Sequence, residues 1–431
     1  MTMMNTLLAA LCRTLLASVF WLSIRLSNSL TVQGTIYDRG AARTYLGMMH
    51  KRDIDPFILV PIVLFHRGCK APGRDVRFAL RGDGFTGGFL ARIVRHPAWL
   101  VWLLRPLAVG PVLRWLGTYP TDGLLRPAQE WIREAQQIEG DVPAADILSP
   151  AFIQDVIHAG HGSCQQVHNL PLSQLLRWPY HTVLQRFYGP EMLLHSKRRR
   201  IERRLVERIH QQLTEIVAHL WQGGSIFGSP EGQLSPDGHL SPLHAGFYRL
   251  MRLAPPDLCI LPVGIIYDFM TVGRPHIFIA FAPAIEHAPT LPRRALDEQL
   301  RRAWLANAHF TCTQLASGFL IERLRAAAPI FTLHDLVHAV HTQASALAGA
   351  GRHVDSRLLR PTAAARRVRS YLAYVERRGL VRRGPPGCWQ ITLDRLVIEV
   401  GPRQVAYNAA PVLYAYNELQ DLSGCADPAE A

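Results

Sequence analysis

Short apolar runs rich in β-branched and aromatic residues alternate, over the first two thirds of the chain, with longer stretches of helical periodicity. Six of these runs predict β-strands. They cover residues 30–36, 44–50, 76–80, 224–229, 258–267 and 276–281. Helices are predicted between them, for example over 127–138 and 196–221. This alternation predicts an α/β domain with a mixed, largely parallel sheet flanked by helices, in which ligands bind beyond the strand ends.

The N-terminal segment forms a long apolar run. Residues 6–24 are apolar apart from Arg13. No small-residue cleavage site follows, which disfavours a signal peptide, and the internal charge disfavours a spanning helix. We predict a membrane-associated helix over residues 1–29, lying in the cytoplasmic leaflet with Arg13 and Arg25 at the headgroups. Residues 96–117, with three tryptophans between leucines and arginines, repeat this pattern. Ordinary buried helices are the alternative for both segments.

The character of the chain changes near residue 326. From there the pattern predicts a helix, a second helix, a turn and a short hairpin, which is typical of a winged helix. Residues 366–383 would include its basic helix. Winged helices also bind proteins, and the pattern does not favour nucleic acid as the partner. The predicted domains are the membrane helix over 1–29, the α/β domain over 30–325, the C-terminal domain over 326–420 and a disordered tail over 421–431.

Charge points to anionic partners. The 431 residues carry 47 Lys+Arg against 33 Asp+Glu, a formal net charge of +14. Such an excess suits nucleic acid, acidic lipid headgroups or phosphorylated cofactors. The predicted helix over 196–221 holds a cluster that is either a solvated face or a patch for CoA, acyl carrier protein or anionic lipid. Its members are Arg198, Arg199, Arg200, Arg203, Arg204 and Arg208.

Neither the cysteines nor the histidines predict a metal site. The seven cysteines contain no CxxC pair, so the sequence favours neither a disulfide framework nor a zinc site. Two histidine clusters lack a third-ligand signature and an acid at HExxH spacing. They are His158, His161 and His168, and His334, His338 and His341. The sequence therefore favours neutral histidines and predicts no metal.

One histidine stands at a predicted strand end. His50 is followed five positions later by Asp55. Histidine is the usual general base near neutral pH. A carboxylate at this spacing can reach the other ring nitrogen, which fixes the tautomer and stabilises the imidazolium. Such spacings are frequent by chance, so the pair alone is a weak signal.

A second candidate lies far downstream. Glu231 stands between Pro230 and Gly232, in a loop rich in Gly, Pro and Ser that follows a predicted strand. Proline stiffens a loop and glycine lets the backbone approach a ligand closely. The loop is therefore either a surface turn with a solvated carboxylate or a means of presenting that carboxylate to a bound molecule.

Taken in order, four blocks resemble the motifs of the glycerolipid and lysophospholipid acyltransferase family. The H-x4-D block is His50 and Asp55, and the second block is Gly117 to Gly123. The third block, "SPEGQL", covers Ser229 to Leu234, and the last is "ILPVGI" around Pro262. The resemblance covers residues 30 to 290 and is most specific in the first, third and fourth blocks.

The resemblance implies transfer of a fatty acyl group from acyl-CoA or acyl carrier protein to a hydroxyl of a glycerolipid, such as a lysophospholipid or glycerol phosphate. This chemistry belongs to phospholipid biosynthesis at the cytoplasmic face of a membrane. His50 would deprotonate the hydroxyl and Asp55 would hold His50, without a covalent intermediate, metal or cofactor. Glu231 would help to bind the acceptor. The resemblance places Pro230, Gly232, Gly117 and Pro262 in the same substrate-binding blocks.

Two departures leave the acceptor open. Gly123 and Leu234 stand where the family has arginines, and those arginines are the expected phosphate contacts. Arg126, Arg249 or Arg252 would substitute from nearby, or the acceptor is a lipid hydroxyl without phosphate. A third alternative is a non-catalytic lipid- or nucleic-acid-binding protein with a decayed acyltransferase domain.

Overall fold

The computed structural model describes most of the chain. The described residues are 3–34, 43–52, 55–65, 76–81, 110–115, 117–121, 123–124, 126–159, 164–177, 180–184, 186–232, 234–235, 237–392 and 409–424. The chain divides into two compact units. Unit 1 comprises Met1–Val76 and Leu220–Ala431, and unit 2 comprises Arg77–His219. The domain boundaries proposed from the sequence stay predictions.

The structure describes twelve strands. In chain order they are β1 Ser29–Gln33, β2 Thr44–Met48, β3 Val76–Arg81, β4 Thr118–Thr121, β5 Arg126–Pro127, β6 Phe187–Tyr188, β7 Ser225–Gly228, β8 Cys259–Asp268, β9 His276–Phe281, β10 Ile330–Thr332, β11 Val381–Arg383 and β12 Cys388–Ile391. Six of them, β1, β2, β3, β7, β8 and β9, lie close to the predicted bounds. All six predicted strands are therefore confirmed.

The described helices follow the same order. They are α1 Met3–Ser27, α2 Asp55–Phe65, α3 Gly110–Trp115, α4 Ala128–Glu139, α5 Pro150–His158, α6 Cys164–Asn169, α7 Leu172–Leu175, α8 His181–Leu184, α9 His195–Trp221, α10 Ala245–Leu253, α11 Arg293–Asn307, α12 Cys312–Arg325, α13 Leu333–Gly349, α14 Pro361–Arg377 and α15 Pro411–Ser423. Short 3₁₀ turns cover Ala144–Asp146, Pro190–Met192 and Ala288–Thr290.

Unit 1 contains a largely parallel sheet. Its strands lie in the order β1, β9, β8, β2 and β7. The pairs β1–β9, β8–β2 and β2–β7 are parallel, and β9 runs antiparallel to β8. β2, β7 and β8 are buried along their whole length, as their continuous apolar sequences suggest. The predicted α/β class with a mixed, largely parallel sheet is confirmed.

Close packing fixes the middle of β2. The Trp304 indole of α11 is buried and donates a hydrogen bond of 3.0 Å to the carbonyl of Gly47. A Cβ atom on Gly47 would lie 3.2 Å from Cγ2 of Ile260 and 3.4 Å from Cγ of Pro230. A side chain at Gly47 would have to displace the Ile260 and Pro230 side chains slightly, so the close packing around β2 favours glycine here.

Helix α1 has an exposed apolar face. It packs against α2, and Ala17 and Ile24 are buried. Five apolar side chains along the helix are more than half exposed. They are Leu11, Leu15, Val19, Leu22 and Leu26, with exposed fractions of 66%, 65%, 58%, 60% and 69%. None of the described helices has both the length and the apolar character needed to cross a bilayer. Of residues 96–117, only α3 and Gly117 lie within the described residues.

The elements after α12 follow the predicted order of helix, helix and hairpin. The structure adds β10, which the sequence analysis missed because it is three residues long. β10, β12 and β11 form an antiparallel sheet. The next described helix, α15, also belongs to unit 1; it packs against α12 and ends at Ser423. The predicted disordered tail therefore begins inside a helix, and residues 425–431 lie outside the described residues.

In unit 2, ion pairs take up much of the predicted basic patch on α9. Arg204 and Arg208 pair with the buried Glu134 of α4, and Lys197 and Arg200 pair with Glu139. Arg198 pairs with Glu202 on its own helix. These pairs fit a solvated, internally paired helix face, and the alternative of a patch for CoA, acyl carrier protein or anionic lipid stays a prediction.

Candidate functional site

The parallel register of β2 and β7 brings His50 and Glu231 together. Gly47 lies opposite Gly228 in this pairing. His50 stands three residues beyond Gly47, and Glu231 stands three residues beyond Gly228. Parallel strands end at the same edge of a sheet, so equal offsets place the two residues side by side. The carboxylate of Glu231 accepts the backbone N–H of His50 at 2.8 Å.

Asp55 is the most enclosed group of the site. It is the first residue of α2, and its side chain has 0% exposure. Its Oδ2 atom accepts the backbone N–H groups of Lys51 at 2.6 Å and Arg52 at 2.7 Å. The same oxygen lies 3.1 Å from Nδ1 of His50. These donors, together with the helix N-terminus, stabilise a carboxylate that burial alone would destabilise.

Tyr267 completes the surroundings of Asp55. Its hydroxyl, on β8, donates a hydrogen bond to Oδ1 of Asp55. Burial and the adjacent carboxylate raise the pKa of Tyr267 well above its ordinary value, so the hydroxyl keeps its proton and acts as a donor. The Arg52 guanidinium stacks on the rings of Tyr267 and Phe269, 4.5 and 4.2 Å from their centroids. Sequence reasoning missed Tyr267, since it is one of several apolar strand residues with no motif of its own.

His50 is partly exposed, and Asp55 lies against one of its ring nitrogens. Its side chain is 20% exposed, whereas Asp55 is enclosed. With the proton on Nδ1, shared with Asp55, Nε2 carries the lone pair. Among the described residues, none hydrogen-bonds to Nε2. The arrangement suits abstraction of a proton from a molecule that approaches the open side of the ring.

Glu231 holds backbone rather than facing solvent. It is 1% exposed, and its Oε1 atom accepts the N–H of Ser241 at 2.9 Å while Oε2 accepts that of His50. Burial raises the pKa of Glu231, and Lys51 and the two backbone N–H groups oppose that rise. The carboxylate therefore fixes the backbone on both sides of the site. The acceptor contact implied by the family resemblance stays a prediction.

Pro230 and Gly232 shape the loop around Glu231. The carbonyl of Pro230 accepts the N–H of His244 at 2.8 Å. Gly232 has φ +68°, and a Cβ atom there would lie 2.9 Å from Cβ of His244. Both observations require a small residue in a left-handed conformation at position 232. The two residues thus keep Glu231 turned inward.

Pro262 lies inside β8, opposite Gly47 of β2. It is buried, and its carbonyl accepts the N–H of Ala282 at 3.0 Å. The next residue, Val263, accepts the N–H of Met49 at 3.0 Å. Pro262 therefore belongs to the strand that supports the His50 turn.

The three arginines proposed as substitute phosphate contacts lie on two different elements, and their role stays a prediction. Arg249 and Arg252 are exposed on α10. Arg126 lies in unit 2, where its Nε donates to the carbonyl of Gly123 at 3.2 Å and its guanidinium stacks on Trp131. Gly117 also belongs to unit 2, with φ +82° in the turn before β4.

Lys51 is a buried cation next to the candidate base. Its Nζ atom donates to the carbonyl of Gly238 at 3.0 Å and lies 3.3 Å from Oε1 of Glu418, on α15. Sequence reasoning could not find this pair, because its members are separated by most of the chain. The described residues contain no group of three metal-ligating side chains placed to hold an ion.

The site is thus a buried carboxylate, an oriented imidazole and a second carboxylate that fixes the backbone. The nearby Ser235 hydroxyl donates to the carbonyl of His239 at 2.7 Å, so it is engaged within its own loop. The chemistry that this arrangement suits is general-base catalysis. No protein-family model matches the chain, and no curated protein matches it.

Glu231→Gln should destabilise the protein by about 1–3 kcal/mol, the cost of leaving a buried polar group unsatisfied. An amide places an NH₂ donor against the N–H of His50 or Ser241, where the carboxylate has an acceptor. Urea unfolding measures the change. The control is Glu298→Gln, which breaks a surface ion pair whose side chains are 62% and 59% exposed. Equal, small losses in both variants would contradict the bridging role of Glu231.

Proposed function

We propose that the protein is an O-acyltransferase that moves a fatty acyl group from an acyl-thioester, acyl-CoA or acyl carrier protein, to a lipid hydroxyl. The observation that carries the proposal is the partly exposed His50 ring, whose Nδ1 atom lies 3.1 Å from Oδ2 of the buried Asp55. Glu231, from the next parallel strand, meets the same turn. Asp55 comes from the same family-like block as His50, Glu231 comes from the third block, and the strand that holds Pro262 of the fourth block binds the N–H of Met49 next to His50.

In the proposed mechanism, Nε2 of His50 takes the proton of the acceptor hydroxyl. The acceptor oxygen attacks the thioester carbonyl and forms the new C–O bond. The C–S bond then breaks, and the imidazolium returns its proton to the leaving thiolate. Asp55 stabilises the imidazolium while it exists, because the two opposite charges lie in contact in a buried setting. Atoms and protons balance without a protein nucleophile.

The acceptor is proposed to be a phosphorylated glycerolipid, with a neutral lipid hydroxyl as the alternative. A phosphate needs a cation near His50, and Arg126 is engaged within unit 2. Arg52 supplies a guanidinium two residues from His50, packed on Tyr267 and Phe269. A guanidinium can pair with phosphate oxygens in bidentate fashion, and this one lies next to the candidate base. Arg52 is therefore the residue on which we base the phosphorylated acceptor.

The exposed face of α1 supports membrane association. Leu11, Leu15, Leu22 and Leu26 recur at helical spacing on one side, with Ala17 and Ile24 buried on the other. Such a face suits a helix lying in the interface beside the bilayer, which is where lipid acceptors reside. The C-terminal elements fit a winged-helix-like domain, for which protein contact is proposed rather than nucleic acid.

His50→Ala should lower acyl transfer by at least about 10²-fold, the usual contribution of a general base, while leaving the fold intact. The assay follows thiol release from acyl-CoA and acylated product, with lysophosphatidic acid, glycerol 3-phosphate and a neutral lipid alcohol as acceptors. His338→Ala, on an exposed position of α13, serves as the control. Full activity of His50→Ala would overturn the mechanism, and acylation of the neutral alcohol alone would overturn the phosphorylated acceptor.

Replacing Leu15 and Leu22 of α1 together by serine should weaken binding to anionic lipid vesicles by roughly tenfold or more. Burial of each leucine is worth about 1.5–3 kcal/mol, so the loss follows from two buried side chains. Vesicle co-sedimentation of the full chain measures it. Leu359→Ser, an exposed leucine elsewhere, is the matched control. Unchanged sedimentation of the double variant would exclude α1 as the membrane contact.

A further inference from the structure

We propose that α15 positions the candidate active site, and that Asp421 is its main positioning residue. The proposal concerns the loop formed by Ser235 and residues 237–241, which lies between α15 and Glu231. The expected effect of Asp421 on turnover rests on the proposed function, whereas its expected effect on the order of the loop does not.

Asp421 binds the loop at two adjacent points. Its Oδ1 atom lies 2.8 Å from Nδ1 of His239, and its Oδ2 atom accepts the N–H of Leu240 at 2.6 Å. One turn earlier on α15, Nδ2 of Asn417 donates to the carbonyl of Asp237 at 3.0 Å. The polar face of α15 therefore binds two backbone groups and one side chain between Asp237 and Leu240.

Gly238 allows the contact. Its φ is +101°, and a Cβ atom there would lie 2.2 Å from the carbonyl oxygen of Tyr414. The loop backbone is thus pressed directly against the backbone of α15. The positive φ at position 238 and the close approach of the Tyr414 carbonyl both require glycine there. The loop sequence therefore fits contact with the α15 backbone.

From the loop, hydrogen bonds continue to the candidate base. The N–H of Ser241 is held by Glu231 at 2.9 Å, and Glu231 also holds the N–H of His50. At the other end of the loop, the N–H of Ser235 donates to the carbonyl of His50 at 3.3 Å. Both backbone groups of His50 are therefore fixed through the loop that Asp421 binds.

A buried ion pair gives α15 a second connection to the site. Glu418 pairs with Lys51, the residue after His50, and both side chains are at most 5% exposed. Glu418 also accepts Nε2 of Gln314 at 3.3 Å, and the Tyr414 hydroxyl donates to the carbonyl of Lys51 at 3.4 Å. A charge buried in this way needs its partner, so Lys51 depends on α15.

The apolar side of α15 holds the helix in place independently of Asp421. Val412, Ala415, Leu419 and Leu422 are buried, and Leu419 fills the space that a side chain at Gly318 of α12 would take. Asp421 itself is partly exposed. Removing its carboxylate should therefore free the loop and leave the helix docked, which separates positioning from folding.

The test compares full-length wild type, Asp421→Asn and the control Gln420→Ala, which alters an exposed neighbour on the same helix. Hydrogen exchange is followed in peptides that cover residues 50–52 and 237–241. In Asp421→Asn we expect about tenfold faster exchange in both segments, the scale of a hydrogen bond to a charged group, with unchanged exchange in α15. We expect kcat to fall by a similar factor while KM for acyl-CoA and the melting temperature hold.

His239→Ala is the second variant, since it removes a partner of Asp421 from the loop side and leaves α15 intact. It should reproduce the faster exchange at 237–241. Unchanged exchange in both variants, or equal changes in Gln420→Ala, would overturn the proposal. Faster exchange with an unaltered kcat would also overturn it. If the wild type transfers no acyl group, the proposed function fails, and the exchange data alone decide whether α15 orders the loop.

Discussion

The buried carboxylate of Asp55 is the group on which the candidate site depends. A carboxylate with no exposed surface is costly unless donors surround it, and here the backbone of Lys51 and Arg52, the Tyr267 hydroxyl and the His50 ring do so. Each donor is in turn fixed by the fold. The backbone N–H groups of Lys51 and Arg52, which follow β2, bind Oδ2 of Asp55, and Tyr267 of β8 binds Oδ1. His50 cannot rotate away without leaving Asp55 short of a partner.

The sheet supplies the second constraint. Because β2 and β7 are parallel and in register, residues at equal offsets beyond Gly47 and Gly228 must meet. This places Glu231 on the backbone of His50 rather than beside its ring. Two carboxylates therefore act on one histidine at different points. Asp55 fixes the imidazole, and Glu231 fixes the peptide to which the imidazole is attached.

Much of this arrangement could be predicted from the sequence, and the reasons are local. The strands were predictable because β2, β7, β8 and β9 are short apolar runs between glycine- or proline-rich turns. His50 and Asp55 were predicted as a pair because a carboxylate five positions on can reach the second ring nitrogen, although such spacings are frequent by chance and the other family-like blocks were needed to strengthen the signal.

The remaining contacts are set by tertiary packing. Tyr267 lies more than two hundred residues from Asp55, and Lys51 meets Glu418 across most of the chain. Neither pair has a spacing or periodicity that could reveal it. Glu231 was identified, but its bonds to His50 and Ser241 depend on strand register, which one sequence does not specify. Arg126 was proposed as a substrate contact from its position near the second block, and its stacking on Trp131 within unit 2 is a tertiary contact that the sequence does not reveal.

The claim that matters most is that Asp55 orients His50 for proton transfer. The direct measurement is the rate of acyl transfer by Asp55→Asn, beside Asp257→Asn, which alters a carboxylate that is 52% exposed. We expect a loss of at least about 10²-fold in Asp55→Asn, because an amide neither accepts from all its present donors nor stabilises an imidazolium. Asp257→Asn should retain wild-type activity. A folded Asp55→Asn protein that transfers acyl groups within twofold of the wild-type rate would contradict the proposed role of Asp55.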